Sequence, residues 1–347
     1  MRIATYNVEW FNNLFDDDGR LVEDREWSSR YKVTRGEQLA ALGIVFTALD
    51  ADAVMVIEAP DQNRRRTTVG ALEAFAAHYG ICARRAVHGF ASDTEQEIGL
   101  LYDPDVLSVQ HDPKGEQTSK KGVAVGARFD GVFRMDVDID TAPELITWSK
   151  PPLELAAKTA NGFDFRMIGV HAKSKAPHGA RTPDEIMRLS IENRRKQLAQ
   201  CVWLRQRVED HLAAGEPLMV MGDFNDGPGL DEYEKLFGHS GVEVVLGLDH
   251  DGMRRLYDPH ALMALGRRSG AVPASARFYL ADQKRFFQAL LDYVMLSPDL
   301  CGFGPRWRIW HPFDDPVCWK TPELREALLA ASDHFPVSVD LDLGAGR

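Results

Sequence analysis

Short apolar or alternating runs bounded by turn residues recur along the whole chain, at 2–8, 53–57, 98–102, 131–139, 164–170, 217–221, 290–296 and 337–342. Each has the length and patterning of a β-strand. Helical spacing falls between them. Residues 36–49 carry Leu39, Leu42, Ile44, Val45 and Phe46 at close to helical intervals, and 67–79 follow a Thr67-Thr68 start. The clearest helix is 183–213, where Thr182 is a good N-cap, Pro183 suits the first helical position and Glu185 completes a capping box. Behind it Ile186, Leu189, Leu198, Cys201, Val202 and Val208 form an apolar stripe, with Arg194, Arg195 and Lys196 expected to face elsewhere. Strands mixed with helices predict an α/β protein. The β-rich stretch 103–163 predicts mixed rather than purely parallel sheets.

The chain has 347 residues, which by the prior of roughly 100–200 residues per domain allows two domains or one large one. No Ser/Gly-rich linker, long charge block or fixed-period repeat divides it. Hydrophobic residues make up 44% and charged residues 27%, the balance of a globular protein. No apolar run approaches the ~20 residues of a membrane-spanning helix, and no amphipathic basic helix with exposed aromatics suggests membrane docking. The start, Met1-Arg2-Ile3-Ala4-Thr5-Tyr6-Asn7, has no apolar segment or small-residue cleavage site, so the expected compartment is the cytoplasm. The four cysteines, Cys82, Cys201, Cys301 and Cys318, lack metal-type spacing and are expected to be free thiols.

With 41 Lys+Arg against 52 Asp+Glu, the net charge is −11. That balance does not suit a protein that holds nucleic acid by bulk electrostatics, and it does not exclude local action on a phosphodiester. Polar residues just past the carboxyl end of an apolar strand occupy the usual site position of α/β folds. Here those positions carry Asn7 and Glu9, Glu58, His171, Asp223 and Asn225, Asp292, and the run Ser332-Asp333-His334. Each alone reads equally as a solvated loop residue, an Asx-turn or a satisfied core histidine. Together they supply two chemical sets. Glu58, Asp333, Asn7 and Asn225 offer hard oxygens for Mg²⁺ or Mn²⁺. His171, His334, Asp223 and Asp292 offer imidazoles and carboxylates for proton transfer.

Those residues sit in motifs. Thr5-Tyr6-Asn7-Val8, Ile57-Glu58, Gly169-Val170-His171-Ala172-Lys173-Ser174-Lys175, Gly222-Asp223-Phe224-Asn225, Leu291-Asp292-Tyr293-Val294 and Ser332-Asp333-His334-Phe335-Pro336 occur in that order. The chain resembles the endonuclease/exonuclease/phosphatase superfamily in these six motifs, over about residues 3–342. The resemblance implies a four-layer sandwich of two mixed β-sheets flanked by helices. It also implies one domain, 1–347, because Asn7 and His334 must meet in a common site.

The activity implied is divalent-metal-dependent hydrolysis of a phosphoester, most simply a nuclease-like phosphodiesterase acting on DNA or RNA. By the resemblance, Glu58, Asn7 and Asp333 hold Mg²⁺ or Mn²⁺. Asp223 orients or deprotonates the attacking water, Asn225 holds a phosphate oxygen, and His334 contacts the phosphoryl group with Asp292 fixing its tautomer. The family also leaves water activation to the histidine at position 334 as an alternative. His171 donates to a phosphate oxygen or the leaving group. Abasic-site endonucleases of the superfamily usually carry tyrosine where this chain has His171, which disfavours a dedicated base-excision role. Lys173 and Lys175 point to one side of extended chain with His171, to meet flanking phosphates or simply solvent. Arg64, in the run Arg64-Arg65-Arg66 just after Glu58, is read as a phosphate clamp or as a solvated loop. Two other functions stay open: the same chemistry on a small phosphoester (an inositol phosphate, a nucleotide or a lipid headgroup), and an inactive member that only binds.

Overall fold

The strand runs have no polar face because both faces of the central strands are covered. The computed structural model describes every residue except 93, 95, 136–143, 178, 229–237, 251, 267–271, 281, 282 and 344–347. Its strands are β1 (Arg2–Asn7), β2 (Ala53–Ala59), β3 (Arg85–His88), β4 (Glu97–Tyr102), β5 (Leu107–His111), β6 (Phe133–Met135), β7 (Glu144–Ile146) and β8 (Leu153–Thr159). They continue with β9 (Asp164–His171), β10 (Leu218–Asp223), β11 (Ala276–Leu280), β12 (Arg285–Ala289), β13 (Asp292–Leu296), β14 (Arg306–Ile309) and β15 (Val337–Asp340). One sheet has the order β14-β15-β1-β2-β4-β3 and the other β13-β10-β9-β8-β5. Each contains one parallel pair, β1 with β2 and β9 with β10, among antiparallel neighbours. Both sheets are mixed, as expected.

The period of two along each strand sorts side chains into layers. Ile3, Met55, Ile57 and Leu100 of the first sheet meet Leu155, Met167, Met219, Met221 and Val294 of the second. Gly169 lies in this seam, where an added Cβ would come 2.5 Å from the sulfur of Met55. On the outer face of the first sheet, Tyr6, Val54, Val56 and Leu101 pack under α1 (Arg35–Leu49), α2 (Thr68–Tyr79) and the helix Pro322–Ala331. On the outer face of the second, Ile168, Val170, Leu218, Val220 and Tyr293 pack under α3 (Pro183–Ala213) and the helices Gly241–Leu246 and Pro259–Gly266. The result is a helix–sheet–sheet–helix sandwich. Among the described residues no helix is long and apolar enough to cross a membrane, and the four cysteines are free.

Two expectations change. Helix α3 has its Thr182–Glu185 capping box, but its first turns stay open to solvent, with Ile186 45% exposed. Arg194, expected to face outward, is buried and donates to Asp226 Oδ1 at 3.0 Å. A paired guanidinium tolerates burial where a lone one does not. The strand expected at 131–139 is described only over Phe133–Met135, the rest lying outside the described residues.

The topology leaves one functional edge. In register, Asn7 lies beside Ile57 at the end of the β1/β2 pair, and Asp223 beside His171 at the end of β10/β9. The carboxyl ends of both parallel pairs emerge on the same side of the sandwich, joined by a hydrogen bond from Asn7 Nδ2 to Asp223 Oδ2 at 3.0 Å.

Candidate active site

Asp223 sits at the centre of that edge. Its Oδ2 accepts from Asn7 Nδ2 at 3.0 Å and Asn225 Nδ2 at 3.2 Å, and its Oδ1 accepts from the Asn225 backbone N–H at 2.7 Å. Asn225 adopts φ +49°, a left-handed conformation that asparagine tolerates better than most residues, and its amide also donates to the Ala172 carbonyl at 3.1 Å. The preceding Gly222 has φ +137°, and a Cβ there would fall 2.0 Å from the Val170 carbonyl oxygen. Only glycine fits. Burial pushes the Asp223 carboxyl up to about 7, with Asp292 adding to the shift and the positive charge of His334 opposing it.

His334 Nε2 lies 4.0 Å from Asp223 Oδ2. Its Nδ1 donates to Asp292 Oδ2 at 2.8 Å, which places a proton on Nδ1 because an ionised carboxylate only accepts. Asp292 Oδ2 is also held by Ser275 Oγ at 2.7 Å, and that hydroxyl in turn accepts from the Leu291 and Asp292 backbone N–H groups. Burial opposes a charge on His334, but Asp292, Asp223 and Asp333 outweigh it and hold the imidazole well above its ordinary range. Asp223, Asp292 and His334 each offer a ligand atom within 4.8 Å of the others. His171 is the electrostatic opposite. Burial first, then Lys150 and His334, drive it well below its ordinary value, so it is a neutral imidazole. Its Nε2 is 3.6 Å from Asp223 Oδ2 and 3.9 Å from Glu58 Oε1.

Glu58 reaches this point through a β-bulge. It is the extra residue between Ile57 and Ala59, at φ +62°, a conformation costing of order 1–3 kcal/mol and typical of functional positions. The bulge breaks the strand alternation and brings a carboxylate of the first sheet to the histidine of the second. Glu58 Oε2 accepts from Gln96 Nε2 at 2.7 Å. Burial raises the Glu58 carboxyl, Asp333 adds to that, and Lys150 and His334 counteract it. A second carboxylate, Glu9, lies near enough to Asp333 to feel its charge and pairs with the buried Arg30. Burial and the Asp333 charge push Glu9 up to about 7 despite that arginine. Ser332 ties both chain ends together here, donating to the Asn7 carbonyl at 2.8 Å and accepting from the Glu9 and His334 N–H groups.

The basic residues separate. Lys173 is half-buried near the site and makes no ion pair among the described residues, its backbone N–H donating to Gln200. Lys175 turns inward, where its Nζ lies 2.5 Å from Asp226 Oδ1, the oxygen that also receives Arg194. Arg64 is exposed on the loop after β2, Arg65 pairs with Asp17, and Arg66 is buried against Asp61, Asn12 and the Phe15 and Asp16 carbonyls. Four contributors escaped the sequence motifs: Ser275, Gln96, Lys150 and Arg30. Lys150 feels the charges of Glu58 and Asp223, while burial lowers its ammonium. It lies in Trp148-Ser149-Lys150-Pro151-Pro152, which has no strand-end signature. Glu9 was visible as a strand-end acid, but its proximity to Asp333 depends on the fold.

The sequence matches the model of the endonuclease/exonuclease/phosphatase family over residues 4–334, and the chain belongs to that family. Three solved structures illustrate the shared fold. A family member from Bacteroides thetaiotaomicron is 15% identical, with TM-score 0.50 and coverage of 98% of this chain and 96% of that one. A 3′ phosphatase from Neisseria, bound to product DNA hairpin, is 15% identical, with TM-score 0.50 and 99% of each chain covered. An AP endonuclease from Archaeoglobus fulgidus is 12% identical, with TM-score 0.50, covering 99% of this chain and 100% of that one. No curated protein sequence matches the chain.

Proposed function

We propose that residues 1–347 act as one domain that hydrolyses phosphodiesters with the help of a divalent cation, and that its substrate is DNA or RNA. The observation that carries the reading is the convergence on Asp223 Oδ2: Asn7, Asn225, His171 and His334, from four separate chain segments, all lie within 4.0 Å of that one oxygen.

The donor set suits Mg²⁺ or Mn²⁺. Asn7 Oδ1 is buried with no hydrogen-bond partner, and the raised Glu9 and Glu58 carboxyls both crowd Asp333. Burial beside a like charge raises Glu9 and Glu58, and that repulsion would be relieved by a cation bound among these carboxylates. Glu58, Asn7 and Asp333 would hold it, with Glu9 beside them. A bound cation supplies Lewis-acid charge to a phosphoryl oxygen.

The protein's own groups do the rest. Asp223, poised near neutrality, orients the attacking water and accepts its proton. Asn225 can donate to a phosphate oxygen only by giving up its 3.2 Å hydrogen bond to Asp223 Oδ2, because its other amide N–H is held by the Ala172 carbonyl. His334, held protonated against Asp292, places positive charge at Nε2 where the transition state gathers negative charge. Neutral His171 donates to a phosphate oxygen or the leaving alkoxide, and Lys150 and Lys173 supply ammonium groups for the scissile or flanking phosphates. Arg64 serves only as an outer contact, and Lys175 acts through Asp226.

The net charge of −11 favours one rival, the same chemistry on a small phosphoester. A substrate panel with Mg²⁺ or Mn²⁺ separates them: plasmid, single-stranded DNA, RNA, and small mono- and diesters. Cleavage of polynucleotides is the expected result. Turnover of monoesters with no polynucleotide cleaved would overturn the nucleic-acid reading.

A further inference from the structure

Next to Glu9 and Asp333 a groove of about 640 Å³ opens between the loop carrying Tyr31 and the β11–β12 hairpin, a size suited to a small ligand or a fragment of a large one. Its upper wall is aromatic and open to solvent. The Tyr31 and Tyr279 rings lie nearly parallel, 5.8 Å apart at 17°, and Phe286 meets Tyr279 edge-on at 5.3 Å. Their exposures are 66%, 40% and 48%. Monomeric proteins seldom leave three clustered aromatic rings in water without a use for them. The Arg277 guanidinium stacks 3.5 Å over the Phe286 ring and pairs with no carboxylate among the described residues, in a chain where acids outnumber bases.

The hairpin is fastened to the catalytic loop. The Arg277 N–H donates to the Asp333 carbonyl at 2.7 Å, the Phe335 N–H to the Ser275 carbonyl at 2.6 Å, and Ala276 bridges to His334. A ligand in the groove is therefore registered against Asp333 and His334 themselves.

We infer that this groove is a stacking subsite for an unpaired nucleobase next to the scissile phosphate, with Arg277 on a neighbouring phosphate. The inference rests on the phosphodiesterase reading above and narrows it to single-stranded or frayed nucleic acid. Exposed rings bind bases of any sequence through their π-faces, and a guanidinium lying on a ring matches the phosphate beside a stacked base. In an intact duplex each base is already stacked and paired, so it has no free face to offer. The clustered ring faces favour a base, while a sugar phosphate would call instead on the Tyr31 and Tyr279 hydroxyls and on Ser29 and Ser332 in the same lining.

The test compares four substrates with Mn²⁺: a single-stranded hexanucleotide carrying 2-aminopurine, the same strand in duplex, methyl p-nitrophenyl phosphate (a diester with no base), and a hexose phosphate. For Tyr279→Ala and Tyr31→Ala, the ratio of kcat/KM on the single strand to kcat/KM on the small diester should fall about tenfold, the scale of one lost stacking contact. Tyr279→Phe keeps the ring and should hold the ratio within about twofold of wild type. Binding of the hexanucleotide in Ca²⁺, read without turnover, should quench 2-aminopurine in the wild type and not in the double alanine variant. An unchanged ratio in both alanine variants, unchanged quenching, or preference for the duplex would overturn the subsite and leave the phosphodiesterase reading intact. A larger loss on a hexose phosphate than on the hexanucleotide would assign the groove to a sugar. Absence of turnover on any phosphodiester would instead remove the underlying reading, and the quenching arm would still report on the groove.

Discussion

The Asp292–His334 pair can be tested by a nearly isosteric change, Asp292→Asn. The structure shows why the variant should fold. Asp292 Oδ2 accepts from both His334 Nδ1 and Ser275 Oγ, while Oδ1 is buried with no partner. An asparagine with its carbonyl oxygen in the Oδ2 position keeps both hydrogen bonds and loses the charge. Its amide N–H₂ is buried where Oδ1 has no partner, a stability cost of about 1–3 kcal/mol that leaves the comparison of kcat and pH profile intact. A hydrogen bond to a charged group contributes about 1.5–3 kcal/mol. The bare Coulomb attraction of two unit charges at the 2.8 Å separation is about 6 kcal/mol at an effective dielectric constant of 20. The support given to a cationic His334 in the transition state lies between those figures. Even the lower bound corresponds to about a tenfold loss of kcat. The sign with pH follows from the direction of the shift. His334 is held above its ordinary value chiefly by Asp292, so removing that charge lowers it, and activity that needs the protonated ring disappears at a lower pH. Steady-state kinetics on a small phosphodiester across the neutral range would show reduced kcat, little change in KM, and an alkaline limb displaced towards acid. Wild-type kcat with an unmoved limb would refute the role given to both residues.

Asp223→Ala should reduce kcat by a factor of hundreds or more, since a positioned acid or base contributes about 10²–10⁴, and a loss below about tenfold would remove Asp223 from proton transfer. Gly222→Ala should destabilise the fold by about 2–6 kcal/mol from backbone strain and overpacking, because its Cβ would strike the Val170 carbonyl; urea unfolding measures this. Asp258 is pushed up by burial to about 6, and Glu154, Glu9 and Asp223 to about 7. Acids raised by folding favour the folded state at low pH, while His171, His211 and His260, lowered by burial, oppose them over the same range. Glu154→Gln should therefore remove a stabilisation that is present at about pH 4 and lost by about pH 7, making the metal-free Tm fall less, or rise more, across that range than in wild type. Mn²⁺ binds deprotonated carboxylates, so its stabilisation should be larger at about pH 8 than at about pH 5, and a calorimetric scan showing the reverse would contradict the donor set.

Much of this architecture could be read from the chain because its signals are local. The runs at 53–57 and 217–221 are apolar on both faces, and that is the mark of strands covered by helices on one side and a second sheet on the other. The Thr182–Glu185 capping box fixes the start of α3 without reference to anything distant. Strand-end polar residues marked the candidate site for the same reason: each is read against its own strand. What escaped depends on contacts between segments far apart. Arg194 sits among the polar residues of an amphipathic helix, and its burial is made tolerable by distant partners, Asp226, 32 residues later, and the His239 carbonyl. Ser275 reaches Asp292 because β11 pairs antiparallel with β12, which brings Ser275 back beside Ala289 just before β13, and β11 and β12 mix exposed and half-buried positions too irregularly to read as strands. Lys150 precedes a strand rather than following one, so a search of strand ends passes over it. The groove beside Asp333 needs Tyr31 and Tyr279 together, and no spacing along the chain announces that meeting.

The account stands on a cation gathered by residues from both ends of the chain. The direct measurement is release of nitrophenol from bis-(p-nitrophenyl) phosphate with Mg²⁺ or Mn²⁺, by wild type and by Glu58→Ala. The account predicts turnover by wild type that EDTA abolishes and that Glu58→Ala lacks. Turnover indifferent to both EDTA and Glu58→Ala, or no turnover by wild type with any divalent ion, would contradict it.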